Sequence, residues 1–277
     1  MSLTNQTVWV VGGVGVVGRG ITRGLLQLGA TVIVNSRSAD RLQQLQETLD
    51  YPEKLATVHG SLLPGKASYT AGRTIERTPL NHVVAHGAVR WWARPTPGVY
   101  DNIYEYKAGC DETYSLNIKA DETLLNMRIE EFGINSSQLA SLHLSAAQNL
   151  IPRLTGSNPT YTFVTGGSGR PGSERAAMGE INSHQVWGLS HAMRHELKDS
   201  RIICREIRVG LPVHEYEKNN EPVSEHIGDI CAGLVSYPKD QGRLIKLDEF
   251  EDIENIMNEY EIKSNDQEKD LPHLMCE

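Results

Sequence analysis

Residues 11–20 read VGGVGVVGRG, with five glycines in ten residues. Gly13, Gly15 and Gly18 have the spacing GxGxxG, directly after a β-branched run and directly before a helical pattern. Glycines at this spacing permit a tight turn, let the backbone approach a pyrophosphate, and let a helix pack closely on a strand. The N–H groups at the start of the helix then face the anion. The stretch predicts a dinucleotide-binding turn; the alternative is that its glycines serve close packing alone.

A second strand pattern follows the turn and ends in Asn35-Ser36-Arg37-Ser38. An acidic side chain here would hold the 2′-hydroxyl of an NAD ribose, and none is present. An arginine suits a 2′-phosphate instead, because its guanidinium is planar and always charged. The sequence therefore predicts NADP(H), held by Arg37 with help from Ser36 and Arg19. The alternative is that Arg37 is a solvated surface residue.

Apolar, β-branched runs alternate with helical patterns along the chain. The predicted strands span residues 7–11, 31–34, 55–58, 81–85, 161–165, 201–207 and 242–247, and the predicted helices span 18–28, 39–49, 136–150 and 176–197. Strands that are apolar throughout and alternate with helices are typical of a parallel sheet covered on both faces. We therefore predict an α/β fold, a single Rossmann-type doubly wound parallel sheet, over residues 1–247.

Two segments depart from this pattern. Residues 93–133 are rich in Pro, Tyr, Asp and Glu and have no sustained period, except a helical one near 121–131. An insertion of this length in a compact domain is usually functional or disordered. Residues 248–277 hold eleven acidic residues and two lysines, in a chain whose net charge is −8. We expect an acidic helix followed by a disordered tail there, with a partner-binding tail as the alternative.

Composition argues against several classes of protein. No apolar run approaches the ~20 residues that a membrane-spanning helix needs, and the first residues do not resemble a secretory signal. The four cysteines are widely spaced without a CxxC pair, which favours a reduced cytosolic compartment and argues against a structural zinc site. No basic stripe suggests a nucleic-acid partner. We expect a cytoplasmic protein that binds small molecules, without a metal.

These motifs together resemble the short-chain dehydrogenase/reductase family over nearly the whole body of the chain. The resemblance rests on the glycine turn, on VVAHGAV at 83–89, on the helix that ends at Pro152, on YTFVTGGSG at 161–169, on the helix that ends in Glu196-Leu197, and on IICREIRVG at 202–210. It implies a set of cofactor-binding residues, namely Gly12, Gly13, Gly15, Val17, Gly18, Ser36, Arg37, Ser61, His86 and Gly87. Ser61 stands near the position where the family often has an aspartate. The family also implies a homo-oligomer, assembled through the helices at 136–152 and 176–197.

Family members use a tyrosine as acid or base, a lysine four residues later, a serine that orients the substrate and an asparagine that completes a water relay. A phenol with a pKa of about 10 needs the neighbouring ammonium to work near neutral pH. Alignment on Gly188-Leu189-Ser190 and Glu196-Leu197 leaves all four positions occupied by other residues. The asparagine, serine, tyrosine and lysine positions correspond to Leu139, Gly166, Gly179 and Ser183.

A shift of the alignment by two residues does not restore the tetrad. It places Ile181 and Gln185 at the tyrosine and lysine positions, and it recovers only a serine, Ser168. No Tyr-x-x-x-Lys pattern starts anywhere in residues 170–190. Loss of a phenol and an ammonium leaves a space beside the nicotinamide that something must fill. We expect a ligand, water, a repacked loop or, as the favoured hypothesis, the 93–133 insertion acting as a partial lid.

Three other residues are weak candidates for the missing acid or base: His86, His143 and Ser168. Histidine titrates near neutral pH and could act as a general acid. Each has a structural alternative: His86 as a partner of loop backbone, His143 as a subunit-interface residue, and Ser168, near Arg170, as part of a Gly-rich turn. Ser183 and His184 could substitute locally, but a serine cannot supply the positive charge.

The sequence therefore predicts an NADP(H)-binding protein of the short-chain dehydrogenase type and leaves its activity open. One hypothesis is an oxidoreductase that transfers hydride to a small carbonyl or C=C substrate with unusual residues. The other is an inactive nucleotide sensor, scaffold or partner subunit.

Overall fold

The computed structural model describes residues 2–75, 79–86, 125, 127–166, 176–211, 213, 224–237 and 239–262. Within these residues a seven-stranded sheet has the order β3-β2-β1-β4-β5-β6-β7, and every strand pairs in parallel with its neighbours. The strands are β1 Thr7–Val11, β2 Thr31–Ser36, β3 Leu55–His59, β4 His82–Ala85, β5 Thr160–Gly166, β6 Ile203–Val209 and β7 Leu244–Leu247. The predicted doubly wound α/β sheet is confirmed.

Seven α-helices connect or follow these strands in the described part of the chain. They are α1 Val16–Gln27, α2 Ala39–Thr48, α3 Ala67–Ile75, α4 Ile129–Leu150, α5 Ala176–Glu196, α6 Ser224–Ser236 and α7 Phe250–Glu259. Helices α1, α2, α6 and α7 contribute to the core on one face of the sheet, and α3, α4 and α5 cover the other face. None of these helices is long and apolar enough to cross a membrane.

The order of the strands fixes where a ligand can bind. Strand β1 pairs with β2 on one side and with β4 on the other, so the chain reverses its direction of travel across the sheet at β1. In open parallel sheets the crevice outside the carboxyl ends of the strands at such a point is the binding site. The glycine turn after β1 lies at this crevice.

Helix α1 is held in place by a very close crossing with α6. A Cβ atom added at Gly20 would lie 2.0 Å from the carbonyl oxygen of Ser224, and one added at Gly228 would lie 2.1 Å from the carbonyl oxygen of Gly20. The backbones therefore touch, and larger side chains at these positions would separate the helices. This contact fixes the direction in which the start of α1 points.

The acidic segment begins with a helix that belongs to the folded core. A capping box between Glu249 and Asp252 starts α7. Ile253 and Tyr260 are buried against the core of the sheet, and Arg243 contacts the Glu259 carboxylate at 2.6 Å. The folded body therefore continues beyond residue 247, where the sequence pattern placed the end of the Rossmann domain. Residues 263–277 lie outside the described residues.

Candidate functional site

The glycine turn leads directly from β1 into α1. Gly12 has a φ of +80°, a conformation that suits glycine. Gly15 is the N-cap of α1, and its N–H donates to the carbonyl oxygen of Gly12 at 3.2 Å. The left-handed position of the turn is thus Gly12, which directly precedes the first glycine of the GxGxxG spacing.

The three glycines of the motif have different surroundings. A Cβ atom at Gly13 would lie 2.7 Å from a γ-carbon of Val34, and one at Gly18 would lie 2.2 Å from the carbonyl oxygen of Gly12. At Gly15 the nearest atom to an added Cβ is the Gly12 carbonyl oxygen, 3.7 Å away. Packing therefore requires Gly13 and Gly18, while among the described residues only the Gly12 carbonyl oxygen lies near a Cβ atom at Gly15.

The start of α1 has the properties of an anion site. Its first turn contains no acidic residue, and no side chain caps it. The first N–H groups of a helix lack carbonyl partners within the helix, and the helix dipole places positive charge there. Val17 is half-buried in this turn, and Arg19 follows it. The turn therefore presents backbone donors and positive charge to the space beside Gly15.

The loop after β2 places Arg37 at the same edge of the sheet. Val11 and Asn35 are register partners on β1 and β2. The carbonyl oxygen of Arg37 accepts a hydrogen bond from His59 Nε2 at 2.9 Å. The Ser36 hydroxyl accepts from the N–H of Ser38 at 3.2 Å. These bonds order the loop, so Arg37 is presented from a fixed backbone one strand away from the glycine turn.

Ser61 is buried and contributes to the loop after β3 rather than to an open surface. Its N–H donates to Thr70 Oγ1 at 3.1 Å, and its hydroxyl oxygen accepts from the N–H of Leu63 at 3.1 Å. The hydroxyl thus stabilises the start of the turn toward α3.

His86 lies directly after β4, beside the glycine turn. Its N–H donates to the carbonyl oxygen of Val11 at 3.0 Å. The Nδ1 atom of the ring donates to the carbonyl oxygen of Val164 at 3.4 Å. Burial lowers the pKa of His86, although the Val164 carbonyl opposes this shift. The ring is therefore neutral near pH 7 and carries its proton on the nitrogen that contacts backbone.

The positions that the family alignment assigned to the tetrad lie on three elements. Leu139 is half-buried on α4, and Gly166 is exposed at the end of β5. Gly179 and Ser183 lie one helical turn apart on α5. A Cβ atom added at Gly166 would meet nothing within 4 Å among the described residues. Helix α5 contains neither tyrosine nor lysine.

His143 is buried inside the chain, with 2% of its surface exposed. Its ring lies 5.9 Å from that of Phe163 on β5. A subunit interface would need this side chain at the surface, so the interface alternative for His143 is wrong. Its position against β5 also keeps it away from the carboxyl edge, because Phe163 is three residues before the end of the strand.

A buried network of charges lies beneath the end of β5. Glu206 on β6 is fully buried and accepts hydrogen bonds from Thr165 Oγ1 at 2.9 Å and from Arg208 Nε and Nη2 at 2.9 and 2.8 Å. Its second oxygen accepts from Nη2 of Arg194 on α5 at 3.3 Å. One carboxylate thus joins two guanidinium groups, and the network keeps a net positive charge.

Trp187 connects this network to the end of β5. Its indole N–H donates to the carbonyl oxygen of Gly166 at 3.0 Å, and the guanidinium of Arg208 lies 4.1 Å from the centre of the ring. The His184 ring contacts the indole at 4.3 Å between centroids. Trp187 and Arg208 therefore lie together beside the end of β5, next to Gly166. What occupies the space at the family's tyrosine and lysine positions stays a prediction.

Several predicted residues lie outside the described part of the chain. These are Gly87, Ser168, Arg170 and most of the 93–133 insertion. The described end of that insertion belongs to α4, which begins at Ile129 rather than at residue 136. The lid hypothesis and the Ser168 hypothesis therefore stay predictions.

The three charged residues of the network are not among the site residues predicted from the sequence. Arg194 is distant in the sequence from Glu206 and Arg208, and charged residues are almost never fully buried unless they are paired. The segment REIR at 205–208 indicates such a network, because charged residues inside an otherwise apolar strand need partners of opposite charge.

Solved structures share this fold. A short-chain dehydrogenase/reductase described as glucose/ribitol dehydrogenase, from Brucella melitensis, has a TM-score of 0.66 and 14% identity, over 88% of this chain and 95% of that one. The Pseudomonas aeruginosa RhlG/NADP active-site complex has a TM-score of 0.65 and 16% identity, over 89% and 96% of the two chains. A carbonyl reductase from Pseudomonas aeruginosa PAO1 in complex with NADP has a TM-score of 0.59 and 15% identity, over 87% and 95%.

No family model matches the sequence, and no curated protein matches it significantly. At identities of 14–16% the likeness to solved structures concerns the fold. The fold of this chain is that of the short-chain dehydrogenase/reductases.

Proposed function

We propose that the chain binds NADP(H) at the carboxyl edge of the sheet and transfers hydride between it and a small carbonyl or C=C substrate. The observation that carries the proposal is the contrast within the glycine turn. Gly13 and Gly18 are enclosed, whereas Gly15, at the acid-free start of α1, has no close neighbour for a Cβ atom among the described residues. Two proteins of the same fold, RhlG and the carbonyl reductase, were solved with NADP. Arg37 is the residue we assign to the 2′-phosphate.

Two parts of the site fit the cofactor, the start of α1 and the loop after β2. The N–H groups at the start of α1 suit the pyrophosphate, and a glycine at position 15 leaves room for it. Arg37 follows the strand next to β1, so it lies on the adenosine side of the crevice. When bound, NADPH supplies the hydride. The chain contributes binding, orientation and exclusion of water.

The proton that the reduced substrate takes up cannot come from a tyrosine–lysine pair as in the family, since α5 contains neither residue. His86 is neutral and donates its proton to the Val164 carbonyl. We therefore assign proton delivery to solvent or to the substrate itself, and expect turnover well below that of an enzyme with a positioned acid, by about 10²–10⁴-fold.

A second candidate function is binding without turnover. The arrangement of Trp187, Arg208 and Glu206 favours it, because these side chains use the corner beside Gly166 for a buried structural network. Such a protein would sense the NADP(H) state or serve as a subunit. Assembly as a homo-oligomer through α4 and α5 belongs to this proposal.

Transfer of deuterium separates the two functions. NADPH deuterated at C4, on either face, is incubated with the protein and a panel of small ketones, aldehydes and activated enals. Deuterium in a product, detected by mass spectrometry, establishes the oxidoreductase function. The Gly15→Ala variant is the matched control and should give much less labelled product when NADPH is well below the Kd of the variant. Bound NADPH without label in any product would favour the binding-only function.

A further inference from the structure

We propose that Arg208 is a substrate-carboxylate site, so that the substrate is a small carbonyl compound with an acidic group next to its reacting carbon. The inference rests on the proposed function and names the substrate class of the same site. It starts from the Arg208 guanidinium, which is fixed at the end of β5 beside the exposed Gly166.

Glu206 uses only one side of this guanidinium. Nε and Nη2 of Arg208 both donate to the same oxygen, Glu206 Oε1. Within the described part of the chain no partner is found for Nη1. Among the described residues, the edge formed by Nη1 and the second hydrogen of Nη2 therefore has no partner. This edge matches the two oxygens of a carboxylate in a bidentate arrangement.

The position of the guanidinium is fixed before any ligand arrives. The Cζ atom of Arg208 lies over the Trp187 ring, 4.1 Å from its centre, and the indole N–H donates a hydrogen bond to the Gly166 carbonyl oxygen. Stacking on an aromatic ring and bidentate pairing are properties of arginine that lysine lacks. Only 16% of the Arg208 side chain is exposed. A donor held in this way loses little freedom when it binds an anion.

The local charge favours an anion. The network of Glu206 with Arg194 and Arg208 has one more positive than negative charge. Lys246, the register partner of Arg208 on β7, adds another positive charge at the same edge. The carboxylate of Asp248, on the loop after β7, lies beside Gly210. In the described residues no ion pair joins it to Arg208.

The test compares an acid with its matched neutral ester. 2-Oxobutyrate and methyl 2-oxobutyrate are titrated into the NADPH-saturated protein by calorimetry, which measures binding independently of turnover. We expect the acid to bind at least about tenfold more tightly than the ester. Arg208→Gln should abolish this preference and leave the affinity of the ester unchanged. Lys246→Gln removes a neighbouring charge and should keep most of the preference.

Arg208→Lys keeps the charge but has neither the stacked plane nor the paired donors, and it should also lose the preference. This variant covers the case in which Arg208→Gln fails to fold. Equal binding of acid and ester to the wild-type protein, no binding of the acid at about 50 mM, or a preference that survives in Arg208→Lys would overturn the inference. Any of these results with tight NADPH binding leaves the proposed cofactor function intact, whereas failure to bind NADPH removes that function itself.

Discussion

Replacement of two glycines of the same turn by alanine should affect different properties, NADPH affinity at Gly15 and stability at Gly18. Gly15 has a φ of −82° and a ψ of 172°, which any residue adopts, and a Cβ atom there would be 3.7 Å from its nearest neighbour. Gly15→Ala should therefore change the free energy of unfolding by less than about 1 kcal/mol. At Gly18 the Cβ atom would lie 2.2 Å from the Gly12 carbonyl oxygen and 2.7 Å from the Gly13 Cα.

Both atoms that an alanine at position 18 would meet belong to the backbone, so the turn or the helix must shift. Gly18→Ala should cost about 2–3 kcal/mol, and lower the Tm by about 4–12 °C. In Gly15→Ala the added methyl group occupies the space that we assign to the pyrophosphate. NADPH affinity should fall by at least about tenfold, which is 1.4 kcal/mol.

The assay is a thermal melt and an NADPH titration of both variants and the wild-type protein. The reasoning predicts a stable Gly15→Ala protein that binds NADPH poorly and a Gly18→Ala protein that melts early. It would be refuted by a Gly15→Ala protein that binds NADPH as tightly as the wild type. A Gly18→Ala protein with an unchanged Tm would contradict the packing argument.

Three further predictions concern stability. Glu206→Gln leaves two buried guanidinium groups without their carboxylate and should cost about 3–5 kcal/mol in urea unfolding, whereas Asp199→Asn at the surface should change stability by less than about 0.5 kcal/mol. Burial and the Arg205 charge lower the pKa of His82 to about 4. The free energy of unfolding should therefore fall by about 3 kcal/mol as the pH falls from about 6.5 through 4. His82→Gln should remove this part of the dependence of stability on pH. Ile253→Ala should cost about 2–4 kcal/mol, because α7 packs on the core.

Each of these has a clear opposite result. Equal midpoints for Glu206→Gln and Asp199→Asn would show that the network contributes no stability. An unchanged pH slope in His82→Gln would assign the acid sensitivity to other groups. A neutral Ile253→Ala would mean that the acidic helix is a surface attachment.

The sequence predicts the sheet well because its strands carry the strongest local signal. Buried parallel strands are continuous apolar runs, and the glycine spacing identifies the turn between β1 and α1. The bounds at strand ends differ by one or two residues, for example β6, which begins at Ile203 rather than at residue 201. Such ends depend on pairing with neighbouring strands.

Two helices could not be predicted from periodicity. Helix α6 is buried on nearly every side, and its sequence SEHIGDICAGLVS shows no polar face. A helix without an amphipathic stripe lacks the pattern on which sequence reasoning relies. Helix α3, ASYTAGRTI, is short and mixes Thr, Ser and Gly with few apolar residues. Its helical state depends on packing of Ala67 and Ala71 against the sheet.

At the candidate site, sequence spacing predicted that the proposed cofactor residues share one edge of the sheet, but not the arrangement of Trp187 and Arg208 beside Gly166. The glycine turn, Arg37 and His86 follow three adjacent strands, and parallel pairing brings them to one edge. Trp187 and Arg208 come from a helix and a strand that are separate in the chain. Only the packing of α5 on β6 reveals that the Arg208 guanidinium lies over the Trp187 ring.

The most direct test of the account is a titration of the cofactor-stripped protein with NADPH and with NADH. Binding is followed by energy transfer from tryptophan to the nicotinamide, in the wild type and in Arg37→Gln. The account predicts NADPH binding at about micromolar affinity, much weaker NADH binding, and loss of that difference in Arg37→Gln. Absence of binding of either nucleotide at about millimolar concentration would contradict it, and equal binding of both would contradict the role of Arg37.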